Sequence, residues 1–203
     1  MKKRFALPVA VSALAALLLA VPSFAALKPG TAAPDFTLKA SLAGKDFTFS
    51  LKEALKKGPV VLYFYPSAYT GGCDLEAHTF ATNKDKFVAA GATIIGVSAD
   101  SIKRLNQFSS DPSYCAGKFP VASDADSKVA ASYDLKTTAA EPGVNDVRGT
   151  AIDHAFIQRV TFVIASNGQI VATLSSDADH LTPDQHVKKS LSIVQNIQSG
   201  KAP

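Results

Sequence analysis

Apolar residues in the first half of the chain form short continuous runs separated by amphipathic stretches. The runs at residues 60–65 (VVLYFY) and 93–98 (TIIGVS) are β-rich and have the length of a strand that is buried on both faces of a sheet. The stretch between them predicts a helix over residues 73–90, and Gly91 stands where that helix should end. The order strand, helix, strand is typical of an α/β arrangement.

The second half of the chain predicts a hairpin and a terminal helix. Residues 160–165 and 169–174 are strand-like and flank Asn167-Gly168, a dipeptide that favours a tight hairpin turn. Apolar residues then recur every three or four positions over residues 183–198, which predicts an amphipathic helix. Together with the first half, this pattern predicts a mixed α/β sandwich.

Shorter elements fill the gaps between these segments. We predict strands at residues 33–38, 45–49 and 119–122, and helices at residues 53–57, 101–108 and 128–133. Asp100 or Ser101 is the expected cap of the helix at 101–108. Residues 136–158, which contain proline and glycine, are predicted to be a long loop.

The first 25 residues have the pattern of a cleaved signal peptide. Positive residues at positions 2–4 precede an apolar run over 5–21, and Ser23-Phe24-Ala25 is a small-x-small cleavage signal. An N-terminal membrane anchor is the alternative interpretation. We expect residues 1–25 to direct export to the periplasm, residues 26–203 to form a single domain, and no membrane attachment after cleavage.

Charge excludes one class of partner. The chain has 21 Lys and Arg against 17 Asp and Glu, with a pI of about 9.0. Three of the basic residues, but none of the acidic ones, belong to the predicted signal segment, so the mature domain is close to neutral. This balance gives no reason to expect a nucleic-acid surface. The four histidines show no metal-ligand spacing, and we expect them on the surface or in loops.

The most informative chemistry surrounds Cys73. The strand at residues 60–65 stops at Pro66, and Cys73 falls where the next helix should start. The N-terminus of a helix favours an anion, and therefore favours the reactive thiolate over the thiol. A hydroxyl at Thr70 is placed to bond the sulfur or a bound oxygen, and Pro66 is placed to limit the access of water.

Pro66, Thr70 and Cys73 stand in a PxxxTxxC spacing, and this motif resembles the active site of the peroxiredoxins. The flanking Phe64-Tyr65 and Glu76-Ala77 are similar to the bacterioferritin-comigratory, or PrxQ-like, branch of that family. Further points of resemblance follow in the family's order: Ala33-Pro34-Asp35-Phe36, Gly96-Val97-Ser98-Ala99-Asp100, Phe119-Pro120 with Ser123-Asp124, and Arg159-x-Thr161-Phe162. The resemblance therefore covers most of the predicted mature domain.

The resemblance implies a thioredoxin-like fold with an N-terminal β-hairpin and a thiol-dependent peroxidase activity without a cofactor. It implies that Cys73 attacks the peroxide, that Thr70 orients it, and that Arg159 stabilises the thiolate and polarises the O–O bond. A glutamate matching Glu76 supports the arginine in this branch, although a first-turn glutamate also stabilises a helix by itself. A thioredoxin-like reductant and a monomeric or homodimeric state are further expectations.

Three positions depart from the family's pattern. Gly71 stands where proline is common and should make the loop more flexible. Asp74 stands where threonine is common and adds a negative charge beside the thiolate. His78 stands where some relatives carry a second cysteine, so that route of resolution is excluded here.

Cys115 is the only other cysteine, and several roles remain open for it. A sulfenic acid on Cys73 condenses readily with a nearby thiol, so Cys115 is a candidate resolving cysteine. Alternatively, it is a spectator and an external thiol acts, or the two cysteines form a permanent structural bridge. A thiol–disulfide oxidoreductase is disfavoured because Cys73 lies in no Cys-x-x-Cys motif, whereas a redox sensor without turnover remains an alternative.

Overall fold

The computed structural model describes residues 26–202, so the predicted signal segment lies outside the described residues. In this part of the chain, no helix is both long and apolar enough to cross a membrane. The strands are β1 (Thr37–Leu42), β2 (Lys45–Ser50), β3 (Val60–Phe64), β4 (Thr93–Ser98), β5 (Val121–Ser123), β6 (Thr137–Thr138), β7 (Phe156–Ile157), β8 (Val160–Ile164) and β9 (Ile170–Ser175). The helices are α1 (Leu51–Leu55), α2 (Gly71–Ala89), α3 (Ile102–Ser110), α4 (Lys128–Ser132), α5 (Ser176–Asp179) and α6 (Pro183–Gln198).

Seven strands form one mixed sheet in the order β2-β1-β5-β4-β3-β8-β9. The central strands β3, β4 and β5 run parallel, and the neighbours on both sides pair antiparallel. The α/β class predicted from the sequence is confirmed, and the sheet has the central mixed arrangement and the N-terminal hairpin of β1 and β2 that the resemblance to a thioredoxin-like fold implies. Parallel strands need helical crossovers, which α2 and α3 supply.

The sheet buries side chains on both of its faces. Along β3, Leu62 and Phe64 point into one apolar cluster, whereas Val61 and Tyr63 point into the other. The cluster that contains Tyr63 is covered by α2, α3 and α6. Burial on both faces explains why the β3 and β4 sequences are continuously apolar rather than alternating.

The predicted N-terminal hairpin is confirmed, but its first strand is displaced. The turn at Ala43 and Gly44 has positive φ at both residues (50° and 78°), as a two-residue hairpin turn requires. The strand predicted at residues 33–38 begins only at Thr37. Pro34 has no N–H to donate to a ladder, and the preceding Ala32 makes only an isolated bridge to Gln169.

Residues 136–158, predicted to be a long loop, contain regular structure. β6 and β7 pair antiparallel within this segment, and Asn145 forms an isolated bridge with Ala151. Two-residue strands are too short for a periodic signal, so the sequence pattern did not reveal them. The predicted helix over 73–90 is confirmed with an earlier start at Gly71.

Candidate active site

The loop between β3 and α2 delivers Cys73 to the start of a long helix. Thr70 is the N-cap residue of α2, with extended backbone, but its side chain makes no capping bond. Instead its Oγ1 donates a hydrogen bond to the Ser67 carbonyl at 2.8 Å. The helix N-terminus therefore keeps N–H groups that are not satisfied by its cap side chain, and these favour an anion at Cys73.

Arg159 reaches the Cys73 sulfur from the neighbouring strand. β3 pairs with β8 so that Phe64 lies opposite Val160, which puts Arg159 beside the end of β3 where the Cys73 loop begins. Its Nη2 donates to Cys73 Sγ at 3.1 Å, and Cys73 is only 2% exposed. Strand register thus joins two residues that are 86 positions apart in sequence.

Opposing effects set the ionisation of Cys73. Burial raises the pKa of its thiol, while the Arg159 guanidinium, the Thr70 side chain and the Ser67 backbone act to lower that pKa. The thiol is therefore desolvated, and the positive and polar groups around it are aimed at its charged form. Such an environment makes reactivity depend on Arg159 in particular.

Glu76 holds Arg159 from the other side. The Glu76 side chain is fully buried, and its Oε2 accepts a hydrogen bond from Arg159 Nη1. Burial raises the pKa of Glu76 to about 7, and the nearby Arg159 opposes this shift. Gly72 gives the guanidinium room, because a Cβ there would lie 3.3 Å from Arg159 Nη2 and 3.4 Å from Pro183. The arginine is thereby fixed between two acidic partners.

A buried ionic network, which the sequence analysis missed, supports the loop before Cys73. Asp100 accepts the backbone N–H of Ala68 at 2.8 Å and the Ser98 hydroxyl at 2.7 Å, and its Oδ1 lies 2.9 Å from His154 Nε2. Ser101, the other predicted cap, is the residue that caps α3, so Asp100 is not the cap.

The expectation of histidines on the surface or in loops is wrong for His186, which is buried in α6 and bonds Thr161 and Ser176.

Arg104 joins this network to the following segment. Its Nε lies 2.8 Å from Asp100 Oδ1 and its Nη2 lies 2.9 Å from Asp146 Oδ2. Nη2 also donates to the Ala68 carbonyl at 2.9 Å. Burial raises the pKa of Asp100, but its hydrogen bonds, led by the one with His154, lower that pKa by a larger amount and hold it below its ordinary value. The i,i+4 spacing of Asp100 and Arg104 was a usable sequence signal, but Asp146 and His154 join only through tertiary folding.

Replacing Arg104 with leucine should lower the free energy of unfolding by about 3 kcal/mol, because the buried Asp100 and Asp146 would lose the guanidinium that they share and keep only His154 and Arg148 as partners. Urea unfolding followed by circular dichroism measures the change. Lys56→Met is the control, because Lys56 and Glu53 form a solvent-exposed pair whose loss should change stability by less than about 1 kcal/mol. A loss below about 1 kcal/mol in Arg104→Leu would contradict the supporting role.

Cys115 lies in the same apolar cluster as Cys73, and the two are not bonded to each other. It follows α3 and is fully buried, near the aromatic rings of Tyr69, Phe108 and Tyr114. Burial raises the pKa of the Cys115 thiol well above its ordinary value, and Asp111 and Asp74 add to the effect. In this form of the protein Cys115 is therefore a protonated and protected thiol, and the alternative of a permanent structural bridge finds no support in the two free cysteines.

A cavity of about 500 Å³ opens beside Arg159. Pro66 and Arg159 line one end, and Phe156 and Ser176 belong to the same wall. Pro66 is thus on the wall of this cavity, and its predicted role in limiting the access of water stays a prediction. The structure thus brings Pro66, Thr70, Cys73, Glu76 and Arg159 together, while Cys115 lies elsewhere in the apolar cluster that also contains Cys73.

Comparison with known proteins decides the family. Residues 29–173 match the AhpC/TSA family profile. A putative peroxiredoxin, bcp, of Helicobacter pylori is 37% identical over 142 residues, covering 70% of this chain and 84% of the relative. The chain belongs to the peroxiredoxin family. Peroxiredoxin Q of the plant Sedum lineare is 29% identical over 175 residues, covering 86% and 82% of the two chains.

Solved peroxiredoxin structures share the fold. Peroxidoxin BcpB from Mycobacterium tuberculosis superposes with a TM-score of 0.69 at 28% identity, covering 84% of this chain and 98% of that chain. The bacterioferritin comigratory protein of Xanthomonas campestris gives a TM-score of 0.61, also at 28% identity, over 79% and 92% of the two chains. The protein is therefore a thiol-dependent peroxidase of the PrxQ-like type, an antioxidant oxidoreductase that acts on peroxide.

Proposed function

We propose that Cys73 is the nucleophile of this peroxidase, with Thr70 and Arg159 as the groups that bind and polarise the peroxide and Pro66 and Glu76 as their supports. The observation that carries this assignment is the 3.1 Å contact between Arg159 Nη2 and a Cys73 sulfur that is buried at a helix N-terminus. An arginine remains charged at all working pH values and offers several donors in fixed geometry.

The first step follows from this geometry. The Cys73 thiolate attacks one peroxide oxygen, the O–O bond breaks, and the sulfur leaves the step as a sulfenic acid. The leaving oxygen takes a proton and departs as water or an alcohol. Negative charge moves from sulfur to the leaving oxygen, and Arg159, which donates a hydrogen bond to the Cys73 sulfur, would stabilise the charge at both positions. The Thr70 hydroxyl donates to the Ser67 carbonyl, and its oxygen would then accept the peroxide O–H and orient it.

Hydrogen peroxide and organic hydroperoxides are the proposed substrates. Hydrogen peroxide needs no more space than the immediate surroundings of Cys73. The cavity beside Pro66 and Arg159, at about 500 Å³, has the size of a small-molecule pocket, and Phe156 offers an apolar wall for an alkyl group.

Resolution by Cys115 is the proposed second step. The Cys115 sulfur attacks the Cys73 sulfenic acid, forms a disulfide and releases water, with the thiol proton passing to the departing hydroxyl. The shared apolar cluster of the two cysteines supports this pairing. Both sulfurs are buried in packed surroundings, and unwinding of the first turn of α2 is the proposed movement that brings them together.

Mass spectrometry after one equivalent of hydrogen peroxide tests the assignment. A loss of two hydrogens with a linked Cys73–Cys115 peptide is the expected result. Added oxygen on Cys73 with Cys115 free would retain the peroxidase and replace resolution by an external thiol. If Cys73 stays reduced over minutes, its role as the nucleophile is disproved.

Cys115→Ser separates the two half-reactions. This variant should still form the Cys73 sulfenic acid at the normal rate, since Cys115 does not contact the peroxide. Turnover with a dithiol protein reductant should fall at least about tenfold, and sulfinic acid should accumulate on Cys73 in excess peroxide. Steady-state assays and intact mass measure both effects. Unchanged turnover would show that Cys115 is a spectator.

Recycling completes the proposal. A thioredoxin-like dithiol protein would reduce the disulfide by thiol–disulfide exchange and become oxidised itself. The predicted signal peptide supports a periplasmic location after cleavage, and a periplasmic reductant of this class would then be needed. N-terminal sequencing of the protein from a periplasmic extract, with Ala26 as the expected first residue, tests the location.

A further inference from the structure

Asp74, the residue after Cys73, has an unusual environment for a carboxylate. It is only 9% exposed, and its Oδ1 is buried without a hydrogen-bond partner in the described structure. Buried carboxylates are ordinarily paired, because removing the charge from water is costly. The sequence analysis noted its charge beside the thiolate, but not its burial.

The charged and titratable neighbours of Asp74 do not relieve this burial. Burial raises the pKa of Asp74 to about 6, and the negative charges of Asp111 and Asp146 act in the same direction against the backbone amides of Tyr69 and Thr70. The phenol of Tyr114 and the thiol of Cys115 also face this carboxyl, and its negative charge raises the pKa of each.

Arg148 is a cation beside this group of side chains, and it is already engaged. Its Nη2 pairs with Asp146 at 2.9 Å, and its guanidinium stacks over the Tyr69 ring at 3.3 Å from the ring centroid. Asp74 therefore has acidic neighbours and no cation of its own. Its charged form is less stable here than in water.

Two further features weaken the same turn of α2. Gly71 and Gly72 occupy its first two positions, and glycine is a poor helix former. Thr70 directs its hydroxyl to the Ser67 carbonyl rather than capping the turn. The bond from Arg159 to Cys73 holds the turn while the sulfur is a thiolate, and that attraction weakens once the sulfur becomes a neutral sulfenic acid.

We propose that Asp74 is a positioning residue whose buried carboxylate, with no cation beside it and with Oδ1 lacking a hydrogen bond, favours unwinding of the first turn of α2, the movement that releases Cys73 toward Cys115. This movement benefits the reaction only through the proposed resolution by Cys115, and the proposal rests on that function. Unwinding returns the carboxylate to water and away from Asp111 and Asp146. The neutral carboxylic acid gains little from this movement, so the effect belongs to the ionised form.

The sign of the pH dependence follows. Because the pKa of Asp74 is higher in the folded turn than in water, ionisation favours the unwound turn as pH rises. The effect should be small near pH 4 and complete above pH 7. A shift of this size corresponds to about 100-fold in the unwinding equilibrium, and because Asp74 keeps some access to solvent (9% exposed), we expect an effect of about tenfold.

Asp74→Asn removes the charge and keeps the size of the side chain. Amide hydrogen exchange at residues 71–76 of the reduced protein should be about tenfold slower in this variant at pH 7 than in the wild type. The rate of the disulfide step, followed by acid quenching and mass spectrometry, should fall by a similar factor. This difference between the two proteins should shrink as pH falls toward 4.

Two matched variants make the measurement decisive. Asp85→Asn removes an exposed carboxylate from the same helix and should leave exchange at residues 71–76 unchanged. Gly71→Ala, whose added Cβ meets nothing within 4 Å, should slow that exchange about fivefold through helix propensity alone. If Gly71→Ala slows exchange and Asp74→Asn does not, the proposal is overturned.

The outcome is distinguishable from failure of the proposed function. If the wild type forms no Cys73–Cys115 disulfide, resolution by Cys115 is wrong, and hydrogen exchange still decides whether Asp74 loosens the turn. If the disulfide forms equally fast in Asp74→Asn and wild type at pH 7, Asp74 does not promote the movement.

Discussion

Cys73→Ser should lose peroxidase activity by at least about 10³-fold, the largest effect expected of any substitution in this protein. A serine hydroxyl in the same buried pocket ionises far less readily than a thiol, and the resulting oxygen nucleophile attacks a peroxide oxygen poorly. The donors from Arg159 and the helix N-terminus remain in place but have no thiolate to stabilise. Consumption of hydrogen peroxide with excess dithiothreitol measures the loss.

Cys115→Ser is the matched control for this experiment, since it removes the other buried thiol. With dithiothreitol as the external thiol, it should retain most of the peroxidase activity. Near-ultraviolet circular dichroism should show that both variants keep the native packing around their tyrosines. Residual activity in Cys73→Ser above about one hundredth of the wild-type value would exclude Cys73 as the sole nucleophile.

Arg159→Leu should lower kcat/KM by about 10²- to 10³-fold, and it should also move the pH dependence of the reaction. Burial already raises the pKa of Cys73, and Arg159 is the largest influence that opposes it. Without the guanidinium this pKa should rise further, so a smaller fraction of Cys73 is thiolate at neutral pH. The rate should then increase with pH up to a higher midpoint than in the wild type.

Stopped-flow measurement of the Cys73 reaction between pH 5 and 10 gives both quantities. Arg159→Lys should recover part of the activity, because a single ammonium keeps the charge but cannot bridge Cys73 and Glu76 as the guanidinium does. Lys188→Met, which breaks an exposed pair on α6, is the control and should change neither rate nor midpoint. A fall in rate with an unshifted midpoint would assign Arg159 to peroxide binding alone.

Hydrophobic pattern and motif spacing predicted the α/β class, the hairpin turn of β1 and β2, and the helix that presents Cys73. These features are local, because buried strands and turn residues leave a signal within a few positions. The proximity of Arg159 and Cys73 is not local. It arises from the pairing of β3 with β8, and only the resemblance to a known family allowed it to be expected.

The remaining features of the site depend on tertiary packing. Nothing in the pattern around Asp146 or His154 indicates that both join Asp100 and Arg104 below the loop of Cys73. The burial of Asp74 was equally hidden, because a first-turn aspartate is ordinarily an exposed and favourable residue. The solvent exposure of a charged side chain depends on the elements that pack against it, and for Asp74 these are the segments after α3 and β6 that contain Asp111 and Asp146.

The burial of both cysteine sulfurs restricts which oxidants and alkylating reagents can react with this protein. Cys73 is 2% exposed and Cys115 is fully covered, so a maleimide or a protein disulfide is too large to reach either sulfur in the closed form. Peroxide is small enough to enter. The reduced protein should therefore discriminate oxidants by size, and its labelling by a bulky alkylating reagent should proceed no faster than the turn opens. The rate of such labelling would therefore measure the rate at which the turn opens.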